Sequence, residues 1–136
     1  MATLAEMREG LAANLNAIPN IQVNAYALSD PTPPTIDIIG GPILYDEAMV
    51  RGVDETELRV RVLVPIGSDV GAQKLMDSFC GPSGASSVKA QAETDRTLGG
   101  KVATLRVTTA TEEQRVVLAT TGVECLQREF TVTIHG

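Results

Sequence analysis

Glu57-Leu58-Arg59-Val60-Arg61-Val62-Leu63-Val64-Pro65 decides the fold class. Leu58, Val60, Val62 and Val64 fall on one side of an extended chain, and Glu57, Arg59 and Arg61 on the other. Successive side chains of a strand point to opposite faces, so this is a strand with one buried and one wet face. Antiparallel sheets tolerate a wet face, whereas parallel sheets are covered on both sides. A helix signal follows at once. Ser68 is a good N-cap, Asp69 suits the positive end of a helix, and Ala72, Leu75, Met76 and Phe79 give residues 69–79 an apolar face.

Working outward, Leu4, Met7, Leu11, Leu15 and Ile18 form one stripe of an N-terminal amphipathic helix. Thr3 and Glu6 make a capping box at its start, and Pro19 stops it. Residues 21–27 read as a short strand, residues 29–34 as a rigid proline connector, and residues 35–39 as a second strand. Gly40-Gly41-Pro42 is expected to end that strand, with residues 43–45 forming a third. After Gly81-Pro82, Ser86 or Ser87 caps a short helix over residues 88–93, and Thr97-Leu98-Gly99-Gly100 turns the chain back. Strands are expected at 102–109, 115–120 and 123–135, the last two joined by a hairpin at Thr121-Gly122. In the last strand Leu126, Phe130, Val132 and Ile134 share a face that Arg128 interrupts, while Gln127, Glu129, Thr131 and Thr133 occupy the other. Arg128 reads as a snorkelling side chain or as the mark of a sheet that continues into a neighbour. The layout is α+β: one domain over residues 1–136, a largely antiparallel mixed sheet with helices on one face.

Composition narrows the function. The 136 residues carry a net charge of −6, with 43% hydrophobic and only 3% aromatic residues. A nucleic-acid binder gains affinity by neutralising phosphates with a basic patch, and single strands need exposed rings to stack on. This chain repels DNA, which suits a lumen through which DNA slides without sticking. Cys80 and Cys125 lie far apart with no CxxC, and are expected to be reduced, partly buried thiols. No signal peptide or membrane span is apparent, so the expected site of synthesis is a cytoplasm.

No catalytic motif is complete. Gly81-Pro82-Ser83-Gly84-Ala85 approximates a nucleophile elbow, but it lacks the last glycine and follows a helix. The only histidine, His135, has no aspartate placed to orient it. Gly99-Gly100-Lys101 resembles the end of a P-loop, but Asp95 stands where its first glycine belongs and Val102 replaces the magnesium-binding Ser or Thr. The acidic residues of 46–55 lack calcium-loop spacing. We therefore expect no enzyme, no metal and no cofactor.

Several stretches carry a resemblance: Ile18-Pro19 after the first helix, Gly41-Pro42, Tyr45-Asp46, Arg51-Gly52 before the alternating strand, and Val62-Leu63-Val64 leading to Ser68-Asp69. Ala72-Gln73, Pro82-Ser83-Gly84, Ser87-Val88, Thr97-Leu98-Gly99-Gly100 and Leu105-Arg106-Val107 continue it. In this order they resemble the tail terminator (neck or tail-completion) proteins of long-tailed bacteriophages, over nearly the whole chain. The chain departs from that pattern after Ala110, at the charged segment 111–115 and at Cys125-Leu126-Gln127-Arg128. The resemblance implies a virion protein of the neck, a ring of six copies that caps the tail tube and joins it to the head-completion (stopper) protein. Double-stranded DNA would pass through without sequence-specific binding. A head-closure stopper, a head–tail adaptor, or a small non-catalytic binding module of a prophage or bacterium are the alternative readings. A ring needs a head-to-tail interface. The candidate contact residues lie in charged segments without core periodicity: Asp46, Glu47, Arg51, Asp54 and Glu55 in one loop, and Glu112, Glu113 and Arg115 in an expected charged hairpin.

Overall fold

The structure is a computed structural model and describes residues 3–19, 21–27, 34–45, 54–100, 102–118 and 122–135. Its elements in chain order are α1 (Leu4–Leu15), β1 (Gln22–Asn24), β2 (Thr35–Leu44), β3 (Glu55–Pro65), α2 (Asp69–Phe79), α3 (Val88–Ala92), β4 (Thr104–Ala110), β5 (Gln114–Val117) and β6 (Glu124–His135). The sheet runs β1-β2-β3-β6-β4, with β5 also paired to β6. Among the described residues, only β1 and β2 are parallel and every other pairing is antiparallel. The architecture is thus α+β, with a mixed six-stranded sheet and three helices.

The alternation in β3 does what the sequence predicts. Leu58, Val60, Val62 and Val64 join Ile36 and Ile38 of β2, Leu105 and Val107 of β4, and Leu126, Phe130, Val132 and Ile134 of β6 in one core. Met7, Leu11 and Leu15 of α1, Ala72, Met76 and Phe79 of α2, and Val88 and Ala92 of α3 close that core from the same side. Two predicted core positions stay at the surface: Leu4 and Leu75 are exposed. Each helix begins as its side-chain chemistry requires. The Thr3 hydroxyl accepts the Glu6 N–H at 3.2 Å, and the Glu6 carboxylate accepts the Thr3 N–H in return. Ser68 accepts the Gly71 N–H and Ser87, not Ser86, accepts the Ala90 N–H, each at 3.1 Å. After α3, Leu98 adopts a left-handed conformation (φ 50°), which costs a non-glycine residue about 1–2 kcal/mol. Burial holds it there, since its side chain packs against α1 where Gly10 leaves room.

Three sequence expectations change. Gly40-Gly41-Pro42 does not end a strand: β2 runs through it to Leu44, with a register shift between Gly40 and Ile43. Glycine and proline serve a bulge here, because a Cβ on Gly41 would lie 2.6 Å from the Glu57 carbonyl oxygen. Residues 111–115 form no hairpin. β4 and β5 run in the same direction along β6, so residues 111–113 are a break within one edge. β1 is confined to Gln22–Asn24, and β5 ends at Val117. β5 and β6 pair antiparallel as a hairpin requires, the Leu118 N–H donates to the Val123 carbonyl at 3.0 Å and Gly122 takes φ 71°, while Thr121 lies outside the described residues. Of the proline connector, only Pro34 is among the described residues.

The face opposite the helices is polar but not uniformly wet. Asp37 is fully buried there, held by Arg61 opposite it on β3 through a fork whose Nε–Oδ1 arm measures 2.9 Å. Removing one partner of such a pair strands a buried charge and costs about 3–5 kcal/mol, whereas replacing both by apolar groups is often nearly neutral. Arg61→Ala should therefore lower unfolding stability by about 3 kcal/mol, and Asp37→Leu combined with Arg61→Leu should lose less. Urea denaturation of the three proteins measures both; a double variant weaker than Arg61→Ala would refute the argument.

Candidate assembly surfaces

The structure describes five of the eight predicted contact residues and divides them between distant places. Asp46, Glu47 and Arg51 lie outside the described residues. Asp54 immediately precedes β3, and Glu55 opens it opposite His135 of β6. Glu112 is exposed in the break between β4 and β5. Glu113, half-buried in the same break, and Arg128 of β6 both lie near the Cys80 thiol. Arg128 has its Nε buried and Glu113 its Oε1, neither with a hydrogen-bond partner. Burial raises the Cys80 thiol above its ordinary pKa, with Arg128 opposing the shift, and burial raises Cys125 as well. Both cysteines are free. Arg115 stands on β5 with its Nη2 2.9 Å from Oδ1 of Asp69, the first residue of α2, and this partner raises its pKa. The five described residues therefore do not converge on one site. Glu55 belongs to the His135 end of β6. Arg115 belongs to the opposite end, where Val117 pairs with Glu124.

Sequence reasoning missed the side chains that guard the sheet's edges. An edge strand carries a row of unpaired backbone groups, a template for unwanted pairing. On β4, the outward N–H of Val107 donates to Oε2 of Glu93 at 3.0 Å, and its carbonyl accepts Lys89 Nζ at 3.2 Å. Lys89 and Glu93 themselves bond at 2.6 Å. In sequence this is an ordinary i,i+4 helix pair; in the fold it seals an edge. On β2, the Arg8 guanidinium from α1 donates to the Ile38 carbonyl at 2.7 Å and to the Ala25 carbonyl at 3.5 Å. Its Cζ lies 5.3 Å from the centroid of the Tyr26 ring. Gly40 leaves the space it fills, since a Cβ there would sit 2.8 Å from Arg8 Nη2. Pro42 and the adjacent bulge disable the rest of that edge.

Large apolar side chains are exposed at both ends of the sheet. At the His135 end of β6, Leu44 is 56% and Tyr45 72% exposed. At the Glu124 end, Val117 is 62% and Val123 40% exposed. Eleven residues of β6 separate the two ends, about 37 Å at ~3.4 Å per residue. The Leu44 end holds a shallow cavity of about 160 Å³, lined by Pro42, Leu44, Glu55, Glu57 and Thr133. A second of similar size lies beside β4, lined by Cys80, Lys89, Phe130 and the strand itself.

Among the described residues, no three His, Cys, Asp or Glu side chains come together in a way that could hold a metal ion, and no helix is long and apolar enough to cross a membrane. The glycine turn that resembled a P-loop end spends its donors internally. Asp95 accepts the Thr97 and Gly99 N–H groups, and the Thr97 hydroxyl accepts that of Gly100. The Thr97 hydroxyl, which also donates to the Asp95 carboxylate at 2.9 Å, and the Gly99 and Thr97 N–H groups hold that carboxyl below its ordinary pKa. The chain matches no protein-family model and no curated protein.

The edge seal on β4 is sensitive to pH. Partial burial by itself would raise the Glu93 carboxyl, but bonds from Lys89, the Val107 N–H and Arg96 outweigh it and hold the pKa below the ordinary value. A carboxyl depressed on folding stabilises the fold above its unfolded pKa of about 4.3, and that contribution is lost as pH falls through the lower folded value. Exchange protection of the Val107 amide should therefore persist at pH 5 and collapse as the pH drops below about 4. Glu93→Ala should remove that protection at neutral pH and cost about 1–3 kcal/mol, because it leaves the Val107 N–H unsatisfied. Unchanged protection in the variant would sink the seal.

Proposed function

We propose that this chain is a structural protein of the neck of a long-tailed bacteriophage. It acts as a tail terminator, a ring that caps the tail tube, ends its polymerisation and offers its other face to the head-completion protein. The observation that carries the reading is the pair of unlike apolar patches at opposite ends of one sheet, Leu44 and Tyr45 against Val117 and Val123. A chain with one self-complementary patch forms a two-fold dimer, whereas a chain with two different patches associates head to tail and closes into a ring when the rotation permits. The side chains over Val107 of β4 and Ile38 of β2 support the same reading, because they take up edge backbone groups there and oppose strand addition at those points.

The order of turn motifs along the chain supports the neck in particular. The charge fits as well: a net −6 ring keeps a passing duplex from adhering to its bore. The ring partners are further copies of this chain, six by the resemblance, with the tail tube protein on one side and the stopper on the other. In the virion it lies at the head-proximal end of the tail.

Two measurements test the reading. Negative-stain microscopy of the concentrated protein, alone and on assembled tail tube, should show rings with a bore of roughly 20 Å or more, the width a duplex needs. Deleting the gene from its phage should give overlong tails. Tails of normal length with leaking heads would reassign the chain to the stopper, and a phage indifferent to the deletion would exclude the neck.

A further inference from the structure

We propose that Arg115 and Val117 of one copy dock into the groove formed by Pro42, Leu44, Glu55 and Glu57 of the next. This deepens the ring reading and rests on it. The groove has an aliphatic wall, Pro42 and Leu44, and a rim of two carboxylates. Its volume of about 160 Å³ lies below the roughly 300–1,000 Å³ of small-molecule sites. It fits side chains better than a metabolite. An aliphatic wall beside two carboxylates is complementary to a branched aliphatic side chain beside a cation.

The other end of the same chain presents that combination. Arg115 and Val117 alternate onto one face of β5, about 7 Å apart. Neither is committed to the fold. Val117 is mostly exposed, and the Arg115–Asp69 pair is exposed on both sides, so it contributes little and exchanges readily. Glu57 is held only loosely, with Arg59 at 3.8 Å. The guanidinium fork can take a carboxylate through two parallel bonds. Two acidic grooves facing each other would repel, which disfavours a two-fold arrangement through this end. A stable contact needs at least about 1,000 Å². The proposed pair is therefore the centre of the interface, and Tyr45 and Val123, exposed at the two ends, extend it.

Cysteine cross-linking of the full chain tests the pairing. In a Cys80→Ser background, Leu44→Cys and Val117→Cys are prepared separately; both sites are exposed, and thermal melts verify folding. An equimolar mixture should form disulfide-linked dimers on oxidation, and neither variant alone should. The protein carrying both substitutions should give a ladder that stops at the ring number. Arg115→Glu and Glu57→Arg should each weaken self-association at least tenfold by sedimentation, and combining them should recover much of it. Rings visible in the microscope without a cross-link in the mixture would overturn this pairing and leave the ring reading standing. Homodimers of either variant alone would overturn the head-to-tail geometry. A chain that associates neither with itself nor on the tail tube would overturn both.

Discussion

Strand β6 is paired on both sides along nearly its whole length, and the rest of the molecule follows from that constraint. On one side, β3 matches it residue for residue from Glu55–His135 to Pro65–Cys125. On the other, no single described strand is long enough. β4 takes the C-terminal half and β5 the N-terminal half, and the break at residues 111–113 is where one partner hands over to the next. The same break turns Glu113 toward the helix side, near Cys80 and Arg128. Because β6 spans the whole sheet, its two termini define the two ends of the sheet, and four of the exposed large apolar residues, Leu44, Tyr45, Val117 and Val123, lie at those ends.

An open sheet of this kind must deal with its edges, and here it does so with side chains borrowed from helices. α3 has only five residues and contributes little core. Its position beside β4 instead places Lys89, and Glu93 at its C-cap, against the outward backbone of Val107. Arg8 performs the equivalent task from α1 on β2. One guanidinium satisfies two carbonyls and covers a tyrosine ring, so the α1–β2 contact is polar at its rim and apolar beneath. Backbone groups taken up in this way are closed to a further strand at Val107 and at Ile38.

Much of the fold was legible in the sequence, because it rests on local rules. The alternation of residues 57–65, the Ser68 cap and the Thr3–Glu6 box depend on neighbours within a few residues. What was not legible depends on the identity of a distant partner. Gly40-Gly41-Pro42 looks like a strand terminator because turns and edge bulges draw on the same residues; only the close approach of Glu57 distinguishes them. The charged run at 111–115 looks like a hairpin because the sequence does not reveal that β4 and β5 share one partner strand. Glu93 looks like half of a helix ion pair until Val107 is seen beside it. The contact residues were chosen for charge without periodicity. That signal singles out Glu55 and Arg115 as candidates but does not show that they occupy opposite ends of the sheet. It also passed over Leu44 and Val117, whose exposure only the fold reveals.

The net charge sharpens what an interface between copies must look like. Every copy carries −6, so two copies repel at long range, although at physiological salt that repulsion fades beyond about 8 Å. Association therefore depends on contacts that are locally complementary once the surfaces are close, and a cation beside an exposed valine is the kind of feature that overcomes a general repulsion. Closure adds a second demand. Head-to-tail contacts give a ring only if the angle between the two ends is fixed, and a filament otherwise. A continuous antiparallel spine supplies the rigidity. Of the sheet's three irregularities among the described residues, the bulge in β2 sits beside the Leu44 end, the 111–113 break sits beside β5, and the register shift between Val107 and Thr109 lies within β4; in the proposed ring the first two adjoin the surfaces that meet. If copies meet end to end as proposed, a change in either of those two irregularities would alter the angle between the ends while leaving the spine itself intact.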